Sequence, residues 1–335
     1  MKNQLPPNYT ARPPRLEDAQ ACTDMFNLCS EALLGTRPFK VEEQMREWQT
    51  PKLDLERDMR LVLAPDGQVA AYYEVWDLED PHATVFCWGR THPAHTGRGI
   101  ALHLLEWAEQ RARMAIPLAP PEARVTFMAF VEAINAQANQ LMLDYGLAFT
   151  RRSLRMLIEF TEPPAAPQWP QGVTVRTVTP GEERSAFAAE NEAFKDHWGH
   201  VERPFEEEYQ RFVHFTLNNP QYDPSLWFLA VDGDEIAGGS RCRPEVDNDP
   251  SIGWVGSLSV RRPWRKQGLG LALLLHSFGE FYRRGYRKVG LGVDAENISG
   301  ALRLYENAGM HCEPKFSYHT YEKELRPGVD LMRRE

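Results

Sequence analysis

"SVRRPWRKQGLGLALL", Ser259–Leu274, places four basic residues and two glycines directly ahead of a leucine-rich run. The β-like run before it ends at Val260, and a helical pattern begins near Gly268. Between them lies a short loop. The first N–H groups of a helix have no intrahelical acceptor, and the helix dipole is positive at that end. Gly268 and Gly270 remove side chains where an anion would meet the backbone. Between Arg261 and Lys288 there are eight lysines and arginines and one acid, Glu280, in a chain whose net charge is −9. A solvated basic face is the competing reading of that cluster. Its coincidence with a glycine loop favours an anionic ligand. Two phosphate-loop patterns do not fit. The Gly-Lys-Ser/Thr ending of one is absent, and the third small position of the other is Leu273.

The surroundings of this stretch recur earlier in the chain. "LVLAPDGQVAAYYEV" (Leu61–Val75) and "WFLAVDGDEIAGGSRCR" (Trp227–Arg243) are both paired β-like runs around an Asp-Gly turn. Each leads to a further strand pattern, "TVFCWGRT" or "IGWVGSLSV". A glycine loop with a helix follows, "TGRGIALHLLEWAEQRAR" or "RKQGLGLALLLHSFGEFYRR". Another strand pattern comes next, then a short helix ending in glycine, "NQLMLDYGL" or "LRLYENAGM". A polar-alternating strand closes each half, "RRSLRMLIEF" or "FSYHTYEKEL". Thr96 maps onto Arg265 at an offset of 169, and Ala138, Leu141 and Gly146 map onto Ala301, Leu304 and Gly309 at 163. The pattern predicts an α/β (α+β mixed) chain of two tandem units, each a mixed, mostly antiparallel sheet flanked by helices. The four-proline stretch Thr161–Gly172 reads as a stiff linker between residues 1–160 and residues 173–335.

At 335 residues, two domains are expected, and the acidic balance argues against a nucleic-acid or membrane-surface binder. No apolar run approaches the ~20 residues of a membrane span. The N-terminus has no secretory pattern, so a cytoplasmic location is expected. Five cysteines without CxxC spacing read as reduced thiols. The pairs His92/His95 and His197/His200 have ligand-like spacing but no companion cluster, and no metal is expected.

"RKQGLG" (Arg265–Gly270), followed by "NISGALRLYENAGM" (Asn297–Met310), resembles the two signatures of the GCN5-related N-acetyltransferases. The tandem layout, with the better-preserved copy second, resembles the mycothiol synthase branch of that family. The resemblance implies acetyl-CoA as cofactor, its pyrophosphate held by the amides of Lys266, Gln267, Gly268, Leu269, Gly270 and Leu271, with Arg265 adding charge. It implies that backbone groups of Leu258 and Val260 meet the pantetheine arm and that Asn297 holds the cofactor. Tyr305 would be the general acid for the leaving thiolate. A phenol is protonated at neutral pH, whereas packing beside Leu304 is the plain structural role for the same ring. No acidic residue lies in "IGWVGSLSV", where many relatives place a base; Glu190, Glu192, Asp196 and His197 lie in the substrate-side region. The first copy keeps Gly97, Gly99 and Ala101, but has Thr96 for Arg265 and Met142 for Tyr305, which implies a degenerate unit. The expected activity is acetyl transfer to the amine of a small-molecule acceptor by direct attack in the second unit, by a monomer or homodimer. The alternative is a non-catalytic acyl-CoA-binding or regulatory protein.

Overall fold

The computed structural model describes residues 4–296 and 300–332. They form two compact units, Met1–Arg152 with Lys315–Leu331, and Ser153–Pro314 with Met332–Glu335. In chain order the first run of elements is β1 (Thr10–Arg12), α1 (Ala19–Leu34), α2 (Val41–Trp48), α3 (Leu55–Asp58), β2 (Met59–Leu63), β3 (Val69–Trp76), β4 (Thr84–Thr91), α4 (Ile100–Ala112), β5 (Val125–Glu132), α5 (Ala136–Asp144) and β6 (Ala148–Glu159). The second is β7 (Val173–Thr177), α6 (Glu183–Phe194), α7 (Phe205–Phe212), β8 (Trp227–Asp232), β9 (Glu235–Arg243), β10 (Ile252–Val260), α8 (Leu269–Arg283), β11 (Lys288–Asp294), α9 (Ala301–Asn307), β12 (His311–Cys312) and β13 (Tyr318–Arg326). The proline-rich segment between β6 and β7 is irregular, as its composition predicts.

In the first unit the strands run β1-β2-β3-β4-β5-β13, antiparallel except for the β4–β5 pair. One sheet face packs on α4 through Ile100, Leu104, Leu105 and Ala108, and the other on α1 and α2 through Phe26 and Trp48. The second unit repeats the plan as β7-β8-β9-β10-β11-β6, again with one parallel pair, β10–β11. There α8 supplies Leu274, Phe278 and Phe281 to one face, while α6 and α7 cover the other with Ala186 and Phe212. Helices on both faces of a twisted sheet bury apolar side chains from alternate strand positions, as the period-2 and period-3.6 patterns require.

The closing strands depart from the linear division into 1–160 and 173–335. Strand β13 pairs with β5, Tyr321 opposite Ala129, and so completes the first unit. Residues Ser153–Glu159 of β6 pair with β11 and complete the second. Side-chain complementarity explains the placement of β13. The Tyr321 hydroxyl donates to Asn139 Oδ1 at 2.7 Å, Lys323 reaches Glu109 at 2.7 Å, and Arg326 donates to the carbonyls of Ala123 and Ile116 at 2.9 and 2.8 Å. Alternation marks these residues as a strand but does not name its neighbour.

Candidate active site

The second unit's parallel pair opens partway along. Its register runs from Ile252 opposite Lys288 to Val255 opposite Leu291, after which β10 continues to Val260 and β11 stays paired with β6 as far as Asp294. Between Val255 and Ser257 the pairing with β9 slips by one residue, which makes Gly256 the extra residue of a β-bulge. Beyond the bulge, the β10 edge that faced β11 has no strand partner among the described residues. Its alternate backbone N–H and C=O groups have no ladder partner there, and the Val260 carbonyl instead accepts from Arg265 at 3.1 Å. The side chains of Leu258 and Val260 pack with Leu269 and Leu273 of α8, so these residues can serve a ligand only through their backbone.

Ser257 faces the other way. It is 8% exposed, and its hydroxyl has no hydrogen-bond partner among the described residues. A buried, unpaired hydroxyl costs roughly 1–3 kcal/mol and calls for an explanation. The sequence reading missed Ser257, although a lone glycine inside a strand pattern, "VGSL", is the usual mark of a bulge.

The loop after β10 holds two left-handed residues, Lys266 at φ 61° and Gly268 at φ 85°. For a lysine this conformation is uncommon, and such strain gathers at sites where a loop shape is needed. Helix α8 begins at Leu269 with no side-chain cap. The amides from Lys266 to Leu271 therefore lie in the turn at the positive end of a 15-residue helix. Gly270 has a different reason: a Cβ there would stand 3.2 Å from Leu304 Cδ1, so it lets α8 approach α9. Gln267 turns away from this surface and donates to the Pro263 carbonyl at 2.9 Å.

The arginines of the loop are already engaged. Arg265 donates to the carbonyls of Val260 (3.1 Å) and Ala193 (2.9 Å) and to Asp196 Oδ2 (2.8 Å). Asp196 also accepts from Arg262 at 2.7 Å, and these two guanidiniums hold its carboxyl well below the usual range. Arg261 pairs with Glu192 at 2.9 Å and with Glu235 at 3.2 Å. Lys266 is exposed, with no acid partner among the described residues. The local positive charge read from the sequence is thus largely answered by carboxylates from the end of α6 and the β8–β9 hairpin. The amides and Lys266 remain available.

Tyr305 lies on α9 and is 8% exposed, its ring in the core with Leu274, Phe278, Val293 and Met310. Its hydroxyl makes no hydrogen bond among the described residues, and burial alone pushes its pKa up to about 12. Both roles weighed for this residue are thus compatible with its position: the ring packs, while the hydroxyl keeps its proton unpaired. Asn297 lies outside the described residues. Among the described residues no group of three His, Cys, Asp or Glu side chains is gathered that could hold a metal, and no helix is long and apolar enough to cross a membrane.

The sequence profile of the Acetyltransferase (GNAT) family matches residues 21–118 and 188–310, one segment in each unit. The chain belongs to that family. A GCN5-related N-acetyltransferase from Sphaerobacter thermophilus is 37% identical, with a TM-score of 0.79 over 98% of this chain and 99% of that one. A mycothiol acetyltransferase of Streptomyces bingchenggensis is 28% identical over 90% of this chain and 91% of its own length. A tandem GNAT protein from the clavulanic acid biosynthesis pathway shares the fold at a TM-score of 0.70 and 17% identity, over 96% of this chain and all of that one. This GNAT chain is an acetyltransferase with a tandem architecture.

Its two GNAT units differ where the sheet opens. The first repeats the loop shape, with Gly97 at φ 70° and Gly99 at φ 79°. Its β3–β4 pairing shows no slip beside the opening, so the bulge is absent. Arg90 on β4 and Glu132 on β5 form an ion pair across the gap, with side-chain exposures of 13% and 3%. Met142 packs in the core at the position matching Tyr305, and Asn135 serves as a helix cap, accepting from the Ala138 amide at 3.1 Å.

Proposed function

We propose that this acetyltransferase moves the acetyl group of acetyl-CoA to the amine of a small-molecule acceptor by direct attack, in the second unit alone. The observation that carries the proposal is the coincidence of three features in that unit. They are a bulged, half-unpaired β10, an uncapped left-handed loop at the start of α8, and a buried phenol with an unpaired hydroxyl on α9. The residues fit coenzyme A. The amides of Lys266, Gln267, Gly268, Leu269, Gly270 and Leu271 would hold its pyrophosphate, with Lys266 beside them, and the edge of β10 at Leu258 and Val260, outside the strand ladder, suits an amide-bearing arm.

Acetyl-CoA, when bound, supplies an activated acyl group as a thioester. The chain's own groups do the rest. Backbone N–H donors fixed along β10 offer stabilisation to a developing oxyanion without reorganising at the moment of reaction. Tyr305 holds a proton on its Oη at neutral pH and yields it to the departing sulfur. Arg265 acts on the loop from behind, joining the end of α6 to the end of β10. In the first unit the Arg90–Glu132 pair occupies the corresponding opening and Met142 has no proton to give, which supports a structural role there.

Isothermal titration of the full chain with acetyl-CoA, followed by turnover with an amine library that includes amines related to mycothiol, tests the proposal. One binding event per chain and acetylation of at least one amine are expected. Binding without turnover of any amine would favour a purely acyl-CoA-binding role, and no binding would refute both.

A further inference from the structure

An alkylammonium acceptor must lose a proton before its nitrogen can attack, and β10 carries no carboxylate to take it. Trp254 stands in that strand with its indole close over Gly290. The end of α6 brings four candidate bases to this side of the sheet, and their partners separate them. Glu190 is held by Arg241 at 2.8 Å, Glu192 by Arg261 at 2.9 Å, and Asp196 by Arg262 and Arg265 at 2.7 and 2.8 Å. Arg262 and Arg265 hold the Asp196 carboxyl well below the usual range, and the carboxylates of Glu190 and Glu192 are engaged by guanidinium donors.

His197 differs from all three. Neither ring nitrogen has a hydrogen-bond partner among the described residues, and the half-buried ring packs edge-on against Phe194 at 4.5 Å. Its place is fixed by its neighbours in the chain, because Asp196 and the Ala193 carbonyl are both bound by Arg265, which also holds the Val260 carbonyl. The charged groups that act electrostatically on the ring are Arg265 of the loop, Asp196 and His200 of its own segment, and Asp294 at the end of β11. Val260 ends β10 at the opening, and Arg265, bonded to its carbonyl, ties the Ala193–Asp196 segment that precedes His197 to that end of the strand. His200, three residues on, is acted on electrostatically by Glu208, Glu202, Lys195 and Arg203, none of them on β10, β11 or the loop.

We propose that His197 is the general base that takes the proton from the acceptor amine; the assignment rests on the acetyl-transfer reading above. An N–H bond of the acceptor breaks and an N–H bond forms on the imidazole. The freed electron pair makes the new N–C bond as the C–S bond breaks, the sulfur takes the Tyr305 proton, and a second N–H proton leaves the acylated nitrogen for solvent. Solvent then receives the imidazolium proton and restores the phenol. Burial, with Arg265 adding to it, holds the imidazole below its ordinary value, and the two aspartates only partly oppose this. The ring is therefore neutral and able to accept at pH 7.

The test compares the full chain with His197→Gln and with Tyr305→Phe. For a turned-over alkylamine, His197→Gln should lower kcat/KM by about 10²–10⁴-fold and remove the acidic limb of the pH–rate profile. Acetyl-CoA affinity should stay within about twofold of the native chain, because no cofactor contact is lost. O-methylhydroxylamine, a weakly basic amine that is already neutral, should lose far less rate. In nuclear magnetic resonance, the imidazole signal missing from His197→Gln should titrate below the ordinary histidine value. An unchanged rate and acidic limb in His197→Gln, with Tyr305→Phe impaired, would overturn the base assignment while sparing the acetyl-transfer reading. So would an imidazole that is still protonated above pH 7. A native chain that acetylates no amine would remove both.

Discussion

Replacing Tyr305 by phenylalanine should move stability and turnover in opposite directions. The ring stays, so its packing against Leu274, Phe278 and Met310 is kept and no cavity forms. Only the hydroxyl is lost, and it is desolvated without a partner among the described residues. Removing such a group relieves a desolvation cost of about 1–3 kcal/mol, so the second unit of Tyr305→Phe should be as stable as the native one or more so. If the hydroxyl donates the proton to the leaving sulfur, kcat should nevertheless fall about 10²–10⁴-fold with acetyl-CoA affinity unchanged. Burial raises the phenol from 10 to about 12, which disfavours the phenolate by about 3 kcal/mol. A folded pKa above the unfolded one gives stability that is fully present below pH 10 and is lost as pH climbs from 10 through the folded value. The difference in stability between native and variant chains should therefore change only above pH 10, and Tyr305 should produce no alkaline limb in turnover below that. Urea unfolding, with each unit's transition fitted separately, steady-state acetyl-CoA consumption and calorimetry supply the three readings. A variant that loses more than about 1 kcal/mol of stability yet keeps kcat within about threefold of native would refute the catalytic role and leave Tyr305 as a packing residue.

Two further substitutions probe the frame around the site. Arg265→Ala removes the bonds to Val260, Ala193 and Asp196, and should weaken acetyl-CoA binding by about tenfold, the scale of one charge-assisted hydrogen bond. Calorimetry at low and high salt measures it, and an unchanged affinity would remove Arg265 from any part in the cofactor site. In the first unit, Arg111 lies between Asp58 at 2.7 Å and Asp77 at 3.3 Å, all three side chains no more than 6% exposed. Arg111→Met should cost that unit about 1.5–3 kcal/mol at pH 7, the scale of a hydrogen bond to a charged group, because Asp58 keeps Arg57 and Asp77 keeps His82. Arg57 and Arg111 hold Asp58 below its ordinary value against the cost of burial, so the native contribution is present at neutral pH and lost as pH falls through that lowered value. The gap between native and Arg111→Met chains should narrow in acid, as read by urea midpoints from pH 7 downwards; a gap that stays constant would show that the network's charge is not what stabilises the unit.

Much of this molecule is written in local pattern. The Pro-Asp-Gly and Asp-Gly turns predict the β2–β3 and β8–β9 hairpins, and both form. The glycine loop before α8 and its echo before α4 adopt the same left-handed conformations. These are effects of a few neighbouring residues, where side-chain alternation and the steric freedom of glycine act over short distances. The bulge at Gly256 belongs here too, since a glycine inside a strand is a readable sign.

Short-range pattern therefore fixes the duplicated unit, its mixed sheet and helices, and the glycine loop at the start of α8. The tertiary structure alone decided which strand closes which sheet. The alternating residues Tyr318–Arg326 fit several strand edges in pattern, but Asn139, Glu109 and the Ala123 carbonyl lie where their side chains can reach. It also decided which charges remain available. Arg261, Arg262 and Arg265 share a basic run with Lys266, yet folding brings Glu192, Glu235 and Asp196 against the three arginines. The same pairing occupies the carboxylates of α6 and leaves the His197 ring without a partner among the described residues. Ion pairs form between groups distant in sequence, and a charge's availability depends on what the fold sets beside it rather than on the residues that flank it in the chain.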